Sequence, residues 1–353
     1  MNLHNNVQLI AGPCSAESRQ QLLSTAEQIK DVGLDYFRAG IWKPRTRPND
    51  FEGVGAKGLD WLVEVREKFG FRVGTEVAST KHVEEAIRAE IDMLWIGTRT
   101  TANPFLVEEI SQALKGAKIP IMIKNPINPD LKLWIGAFER FKGNNINDLH
   151  AIHRGFSVYE KIKYRNLPNW QLAIDFKMQM PQTPLYCDPS HIAGKREYIL
   201  EISQKALDLR FDGLVIETHC NPEKALTDAA QQLTPQQLKE VLGKLVFRRR
   251  IDANEEELNE YREQIDIIDC NLVEILGKRM KISEKIGDYK KRNDLTIFQS
   301  VRWDELLQKN IDLAQKENLS ENFASQLFKL IHQESINIQE KILSEKIDEK
   351  NKS

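Results

Sequence analysis

Four residues with metal-binding side chains are spread over the first 228 positions of the sequence. They are Cys14, His191, Glu217 and Asp228. One thiolate, one imidazole and two carboxylates together would suit a divalent transition metal that accepts ligands of mixed softness. No short spacing joins the four, and a buried cysteine is more often a small apolar residue than a ligand. The spacing alone therefore leaves metal binding open, and the fold must decide it.

Six basic residues form a second set that could do chemistry. They are Arg38, Lys43, Arg45, Arg99, Lys124 and Arg154. A single lysine or arginine usually lies on a solvated face, but each of these lies where a short apolar segment ends. Cations crowded together repel one another unless anions offset the repulsion. Guanidinium groups bind phosphate and carboxylate through a planar fork, and ammonium groups supply a compact charge. The set indicates one or two substrates that carry phosphate.

Eight short apolar segments must position both sets. They are residues 7–12, 35–41, 72–77, 93–97, 120–124, 149–155, 184–188 and 211–217. Stretches with helical periodicity lie between them, and strands that alternate with helices predict a parallel sheet. Eight such units within residues 1–247 favour an α/β fold of the (β/α)8 TIM-barrel type, with a doubly wound open sheet as the alternative. In such a barrel, chemistry lies at the carboxyl ends of the strands, where both sets fall.

The pattern changes after a charged segment at 248–256, which we interpret as a linker. Apolar or near-apolar residues from Leu258 to Tyr289 alternate in spacings of three and four, which is typical of a coiled-coil seam. Two further helices are predicted at 300–316 and 319–345, and residues 346–353 form a polar tail. Residues 257–345 are therefore predicted to form a small all-α domain.

Arg279 interrupts the apolar seam of this domain. A buried charge is costly unless it is paired, so Arg279 either sets the helix register, extends to solvent or faces an anionic ligand. Lys290, eleven residues later, lies within about 20° of Arg279 and roughly 16 Å along the helix, so both could reach one ligand. Arg262 lies roughly 25 Å away in the other direction. If it serves the same kind of site, it must come from a partner subunit, which predicts a dimer.

Composition excludes several classes of function. With 353 residues the chain is long enough for two domains. A net charge of −2 gives no basic field for nucleic acid. The sequence contains no run of 18 or more apolar residues, so no membrane span is predicted. The first residues also lack the pattern of a signal peptide. Four scattered cysteines do not suggest a disulfide framework. We expect a cytoplasmic protein.

The first 240 residues resemble 3-deoxy-D-arabino-heptulosonate 7-phosphate (DAHP) synthase, of the compact type I-beta kind. The resemblance rests on GPCS, KPRT, GTRT, DPSH and the pair Glu217 and Asp228, in the family's order. KPRT separates this family from the sister enzyme that makes 3-deoxy-manno-octulosonate 8-phosphate, which carries Asn before its Arg. The resemblance implies phosphoenolpyruvate and erythrose 4-phosphate as substrates. It also implies that Cys14, His191, Glu217 and Asp228 bind a divalent metal, with Mn²⁺ first and Fe²⁺, Co²⁺ or Zn²⁺ as other candidates.

The same resemblance implies roles for the basic residues. Arg99, Lys124 and Arg154 would hold the phosphate and carboxylate of phosphoenolpyruvate. Arg45 and Thr46 would hold the aldose phosphate, and Lys43, between the substrates, would transfer a proton. Arg38 is included in the substrate-binding set. One departure affects this set, because residues 125–130 read NPINPD where many relatives have Lys-Arg-Gly.

Residues 255–342 resemble an all-helical chorismate mutase of the AroQ type, in LNEYREQIDIID, GKRMKISEKIGDYKK, RW at 302–303 and LFKLIHQESINIQ. The resemblance implies that Arg279, Arg302 and, from a partner subunit, Arg262 bind the two carboxylates of chorismate. It implies that Lys290 and Gln339 bind the ether oxygen. Ser335 lies one helical turn before Gln339, on the same face. These residues form the predicted mutase site.

Two positions depart from the mutase pattern. Gln299 and Trp303 stand where some members of the family carry acidic residues. The hydrogen bond to the substrate hydroxyl is therefore weaker or is made by another group.

Three hypotheses follow for the chain as a whole. The first is two active enzymes, with prephenate, the mutase product, also inhibiting the synthase. The second is an active synthase with a helical domain that binds chorismate or prephenate as a sensor. The third, a purely structural coiled coil, conflicts with Arg279, because a seam that serves stability alone favours an apolar residue there.

Overall fold

The computed structural model describes residues 7–45, 47–248 and 256–344. The chain divides into two compact units, Met1–Arg249 and Arg250–Ser353. Thr46, most of the predicted linker and the predicted tail lie outside the described residues.

The first unit contains eight parallel strands that form a closed barrel in chain order. The strands are β1 Gln8–Gly12, β2 Tyr36–Arg38, β3 Val73–Val77, β4 Met93–Ile96, β5 Ile121–Lys124, β6 Leu149–His153, β7 Leu185–Cys187 and β8 Gly213–Glu217. Pairing of β1 with β8 closes the barrel and places Gly12 opposite Glu217. The predicted TIM barrel is confirmed, and the doubly wound alternative is wrong.

Ten helices surround the strands within the described part of this unit. They are α1 Arg19–Ile29, α2 Lys57–Phe69, α3 Thr80–Arg88, α4 Thr98–Thr101, α5 Pro104–Ala113, α6 Leu131–Gly143, α7 Trp170–Gln179, α8 Pro189–Ala193, α9 Ile199–Asp208 and α10 Pro235–Lys244. Side chains at several N-caps accept a backbone hydrogen bond from the first turn, as Ser18, Ser79 and Asp130 do. Such caps fix where each helix begins after its loop.

Alternate side chains on each strand face either the barrel interior or the helices. Ile10, Met93, Trp95, Met122 and Ile152 pack together inside the barrel with Tyr186 and Val215. The helix-facing core is larger and includes Trp134, which stacks on Phe176 with ring centroids 4.2 Å apart. Because both faces of every strand are buried, the strand ends are held rigidly and can position a site.

The second unit contains three helices, α11 Glu256–Arg292, α12 Ser300–Lys316 and α13 Glu321–Ser344. The predicted all-α domain is confirmed. Ile311, Ala314 and Ala324 form its small core with Leu307. The first half of α11 keeps its apolar seam exposed, and Ile268, for example, is 62% exposed. An exposed apolar stripe of this kind is unusual for a surface that faces only solvent.

Candidate active sites

Three of the four predicted metal ligands meet at the carboxyl ends of the barrel strands. Cys14 follows β1 and Glu217 ends β8, so closure of the barrel brings them together. Cys14 Sγ lies 3.3 Å from Asp228 Oδ2. Ligand atoms of Cys14, Glu217 and Asp228 all lie within 4.8 Å of one another. Such a cluster can surround a single cation.

His191, in α8, lies beside this cluster. Its Nε2 is 3.7 Å from Asp228 Oδ2, and its Nδ1 is 3.9 Å from Glu217 Oε1. Nδ1 also approaches Asp188 Oδ2 to 2.8 Å, without a hydrogen bond of ordinary geometry. A carboxylate behind an imidazole is a common way to orient a histidine ligand. The imidazole nitrogens therefore lie within 4 Å of two of the three clustered residues, Glu217 and Asp228.

The charges around the cluster fit a divalent cation. Burial, together with the Glu217 carboxylate, raises the pKa of the Cys14 thiol to about 12. Burial alone would also raise the pKa of Asp228, but His191 and Arg165 hold it well below its usual range. The cluster thus holds ionised carboxylates next to a thiol that needs additional positive charge to lose its proton. A bound metal supplies that charge, because thiolate ligands must be deprotonated.

Arg38 lies beneath the cluster and holds it in place. It is 1% exposed, donates from Nη1 to Glu217 Oε1 at 2.8 Å and from Nη2 to the Cys14 carbonyl at 2.8 Å. Its guanidinium also lies over the ring of Trp95, 4.8 Å from the centroid. The sequence predicted that Arg38 binds substrate, but both terminal nitrogens are occupied by the protein. The reason is its place within β2, with its side chain inside the barrel.

Arg38→Met is expected to destabilise the barrel by about 3–5 kcal/mol, because it leaves Glu217 buried without its partner. Urea unfolding of chelator-treated protein, followed by tryptophan fluorescence, measures the effect. The double variant Arg38→Met, Glu217→Gln should recover part of the loss, since both charges are then removed. Arg19→Ala is the control, because Arg19 and Glu64 form an exposed ion pair that contributes little. A single variant as stable as wild type would contradict this assignment.

Lys43 and Lys124 lie close to the cluster, but they contact different residues. Lys43 Nζ is 3.2 Å from Cys14 Sγ. Lys124 ends β5, is almost fully buried, and its Nζ lies 3.3 Å from Asp188 Oδ2. Lys43 therefore lies next to the Cys14 thiol, and Lys124 lies next to the carboxylate behind His191.

Arg154 and Arg99 complete the cationic rim. Arg154 follows β6 and donates from Nη1 to Asn166 Oδ1 at 2.8 Å. Burial, with the positive charges of Arg165 and Arg99, lowers the pKa of Arg154 to about 10. Arg99 lies in α4 with an exposed side chain. The three guanidinium groups repel one another electrostatically, so together they form a site suited to an anion.

Arg45 has a different local partner. Its Nε donates to the carbonyl of Phe51 at 2.8 Å, within the segment that follows β2. Thr46, predicted beside it, lies outside the described residues.

The sequence did not reveal the role of Arg165. Its Nη1 donates to Asp228 Oδ1 at 2.9 Å and to Gln231 Oε1 at 2.7 Å. Gln231 in turn donates from Nε2 to Glu217 Oε2 at 2.7 Å. Arg165 comes from the long irregular segment between β6 and α7, where no periodicity marks a residue. It holds two of the predicted ligands through one hydrogen-bonded chain.

Asn125, at the departure from the family pattern, joins two strand ends. Its Oδ1 accepts from the Arg154 backbone N–H at 2.7 Å, and its Nδ2 donates to the Gly155 carbonyl at 2.9 Å. The asparagine thus fixes the backbone that carries Arg154. The side chain of Asn125 therefore stabilises the backbone, which is a different role from direct anion binding.

A second cluster lies between α11 and α13. Arg279 donates from Nη1 to Ser335 Oγ at 2.6 Å. Lys290 is 8% exposed and donates from Nζ to the Ile297 carbonyl. Gln339 is buried, and its Oε1 has no hydrogen-bond partner among the residues that the structure describes. Two cations and an unsatisfied buried amide oxygen form a polar pocket between the two helices.

Close approach of the two helices depends on Gly287. A Cβ at this position would lie 3.0 Å from Ile342 Cδ1 and 3.3 Å from Gln339 Cγ. A larger residue would push Gln339 out of its position beside the pocket. The glycine therefore helps to set the width of the pocket.

Arg302 and Arg262 lie outside this cluster. Arg302, in α12, is exposed and lies 3.5 Å from Glu305. Arg262 donates to Asn259 one turn earlier at 3.1 Å, on the exposed half of α11. Because α11 is one continuous helix, Arg262 lies roughly 25 Å from Arg279 in the same chain. Within one chain, Arg262 therefore cannot reach the cluster around Arg279.

An aromatic group borders the same pocket. The rings of Trp303 and His332 stack with centroids 3.9 Å apart and planes at 24°. Phe298 approaches His332 edge-on at 6.2 Å. The sequence drew attention to Trp303 but not to His332, which carries no recognisable motif.

Comparisons with known proteins match a family to a stretch of each unit. Residues 4–247 match the family described as "DAHP synthetase I family", and residues 261–340 match "Chorismate mutase type II". The chain is 30% identical over 237 residues to a phospho-2-dehydro-3-deoxyheptonate aldolase of Thermotoga maritima, covering 67% of this chain and 68% of the relative. It is 26% identical to a 2-dehydro-3-deoxyphosphooctonate aldolase of Wolinella succinogenes, covering 67% of this chain and 97% of the relative.

The solved structures include a related barrel. The crystal structure of a DAHP synthase from Thermotoga maritima superposes with a TM-score of 0.61 at 28% identity, covering 67% of each chain.

None of the helices in the described residues is long and apolar enough to cross a membrane.

Proposed function

Because this chain belongs to the DAHP synthetase I family and also carries a chorismate mutase type II domain, it is a shikimate-pathway enzyme with two activities, and we propose how its residues perform them. The barrel condenses phosphoenolpyruvate with erythrose 4-phosphate to give DAHP and phosphate. The helical unit converts chorismate to prephenate. The observation that carries the first activity is the cluster of Cys14, Glu217 and Asp228 beside Lys43, at the carboxyl ends of a closed barrel.

The barrel site is proposed to hold one divalent metal on Cys14, His191, Glu217 and Asp228. The mixture of thiol, imidazole and carboxylate suits Mn²⁺ and also Fe²⁺, Co²⁺ or Zn²⁺. When bound, such an ion supplies Lewis acidity to a carbonyl oxygen. Arg38 and Arg165 keep the two carboxylates in place through the contacts described above. A reduced Cys14 ligand fits a cytoplasmic location, where thiols are kept reduced.

The surrounding cations are proposed to bind the two substrates. Arg99, Lys124 and Arg154 hold the phosphate and carboxylate of phosphoenolpyruvate, and Arg45 with Thr46 holds the aldose phosphate. Carbon 3 of phosphoenolpyruvate then forms a bond to the aldehyde carbon of erythrose 4-phosphate, and water adds at carbon 2. The resulting phosphohemiketal loses phosphate. Cationic groups stabilise the charge that develops on oxygen, and Lys43 transfers the proton to the former aldehyde oxygen.

The helical unit is proposed to bind chorismate between α11 and α13. Arg279 and Arg302 bind the substrate carboxylates, together with Arg262 of the partner subunit. Lys290 and Gln339 bind the ether oxygen whose bond to carbon breaks as the new carbon–carbon bond forms. The rearrangement needs no nucleophile, because the pocket acts by holding one chair-like conformer and by favouring charge on the ether oxygen.

The exposed seam of α11 supports a homodimer. Ile265, Ile268, Leu272 and Ile275 are all exposed along one stripe, which a second copy of α11 would cover. The dimer would also carry Arg262 across to the partner's pocket. The chain alone places Arg262 too far from Arg279 to serve the same substrate.

Mixed dimers test this sharing of residues. Arg262→Ala and Arg279→Ala homodimers are each expected to have little mutase activity. Co-expressed with different tags and purified as a mixture, they should recover about a quarter of wild-type activity, because half the dimers are mixed and each has one intact site. Recovery is measured as chorismate consumption per subunit. A mixture no more active than its two parents would contradict the shared site.

Feedback between the two activities is the proposed reason for the fusion. Chorismate forms several steps after the synthase product, so direct transfer between the sites offers no benefit. Prephenate at concentrations that saturate the mutase is expected to lower synthase activity, and Arg279→Ala should weaken that inhibition. The assay follows phosphoenolpyruvate consumption with and without prephenate. Unchanged synthase activity would contradict the regulatory role.

A second candidate for the helical unit is a chorismate or prephenate sensor with weak mutase activity. It is favoured by Trp303 and Gln299, which replace acidic residues of some relatives. The feedback assay and the mutase assay together separate the candidates, since a sensor inhibits without turnover.

A further inference from the structure

The aromatic group beside the mutase pocket contains a histidine in a fixed orientation. His332 lies one turn before Ser335, on the same face of α13 that carries Ser335 and Gln339. Trp303 of α12 stacks on one face of its ring, and Phe298 contacts its edge. A half-buried histidine held from two sides does not rotate freely. Its ring nitrogens therefore have a defined direction.

The charges near this ring are cationic. The positive charges of Arg279 and Lys290 in α11 both lower the pKa of His332. The aromatic neighbours of the ring, Trp303 in α12 and Phe298 in the segment before α12, are uncharged. Burial, and then the two cations, lower the pKa of His332 below its ordinary value. The lowered pKa favours the neutral imidazole, which offers one N–H donor and one lone-pair acceptor.

Beside Trp303 and Phe298 the imidazole supplies an acceptor, whereas the unpaired acceptor Gln339 Oε1 lies two helical turns further along α13. Arginine and lysine only donate hydrogen bonds, and the indole of Trp303 donates but cannot accept. These groups suit the carboxylates and the ether oxygen of chorismate. Its hydroxyl is a donor and needs an acceptor.

We propose that His332, held between Trp303 and Phe298, contacts the substrate of the mutase and accepts a hydrogen bond from the hydroxyl of chorismate. This assignment rests on the proposed mutase function. It makes His332 and Trp303 one functional unit, in which the indole orients the imidazole. It also gives Trp303 a use at a position where some relatives carry an acidic residue.

His332→Phe is the variant that separates recognition from packing. Phenylalanine can keep the ring stack on Trp303 but has no nitrogen. With chorismate, kcat/KM is expected to fall about 10- to 100-fold, the range for losing one hydrogen bond to a buried group. With an analogue that lacks the hydroxyl, wild type and His332→Phe should have the same kcat/KM. His332→Gln, which restores an acceptor, should recover part of the activity on chorismate.

The pH profile supplies a second measurement. Protonation of His332 removes its lone pair, so wild-type kcat/KM should fall as the pH drops through the pKa of His332. His332→Phe should lack this acid limb. Synthase activity of the same preparations should stay at the wild-type value and so reports that the chain is intact.

The outcomes separate the two claims. A wild-type value of kcat/KM in His332→Phe, or an equal loss with both substrates, would overturn the role of His332. If wild type itself does not turn over chorismate, the proposed mutase function fails. Calorimetric binding of chorismate then tests His332 directly, with a 10- to 100-fold weaker Kd expected for His332→Phe on the same grounds. Equal binding by both proteins would overturn the assignment.

Discussion

Arg279→Ala is expected to lower kcat/KM for chorismate by about 30- to 5,000-fold, because truncating one partner of a buried charge pair costs about 2–5 kcal/mol. Arg279 is partly buried between α11 and α13 and is held by Ser335 at 2.6 Å. Burial lowers its pKa, which reflects a guanidinium that is partly removed from water. An ion pair with an anionic substrate offsets the hydration that the guanidinium has lost through burial. The measurement is the loss of chorismate and the appearance of prephenate.

Lys278→Ala is the matched control for this variant. Lys278 is the preceding residue of α11, its side chain is 75% exposed and it lies 3.9 Å from Glu274. It changes the helix charge by the same amount without reaching the pocket, so its mutase kinetics should match wild type. Synthase activity should be unaffected in both variants. Equal losses in both variants would mean that Arg279 acts through the general charge of the helix and not through substrate contact.

Removal of the metal is expected to abolish synthase activity and to leave mutase activity intact. The barrel cluster needs a cation to bring the thiol of Cys14 into its ionised form, since burial and Glu217 raise the pKa of that thiol to about 12. The proposed mutase site relies on Arg279, Lys290 and Gln339, so we expect its activity to be independent of a metal ion. A chelator followed by dialysis, and then by addition of Mn²⁺, should remove and restore phosphoenolpyruvate consumption. Synthase activity that survives complete metal removal would contradict the proposed role of the cluster.

Cys14→Ala provides a genetic form of the same experiment. It should reduce bound metal, measured by elemental analysis, and lower synthase activity to near background. Cys220→Ala is the control, because Cys220 is only half-buried and its thiol lies beside the Gln21 carbonyl. The control should bind metal as wild type does.

The barrel could be predicted from the sequence because its signals are local. Each of the eight predicted segments contains one observed strand, such as Gly213–Glu217 within 211–217. Short apolar segments and helical stretches alternate regularly, so a parallel sheet follows from the connections, and the number of units favours a closed one. The helix predicted at 300–316 matches Ser300–Lys316. The third helix begins at Glu321 rather than at 319, because Ser320 Oγ accepts from the Phe323 N–H and marks the start.

The site could be predicted only in part, because direction and tertiary contact are not local. Arg38 was placed with the substrate residues, whereas its position inside β2 turns it towards Glu217. Tyr36 and Arg38 are two residues apart in β2, so their side chains point to the same face of the strand. This spacing was a signal that could have indicated an interior position for Arg38. Arg165 and His332 carried no such signal. Arg165 comes from an irregular segment, and His332 acquires its neighbours only when three helices pack.

The most direct measurement of the central claim uses one purified preparation of the full chain and two assays. One follows phosphoenolpyruvate consumption with erythrose 4-phosphate and Mn²⁺, and the other follows prephenate formation from chorismate by nuclear magnetic resonance. Two active sites on one chain predict both reactions, with chelation removing the first and Arg279→Ala removing the second. A preparation that binds chorismate but forms no prephenate would contradict the claim of two enzymes and leave a synthase with a sensor.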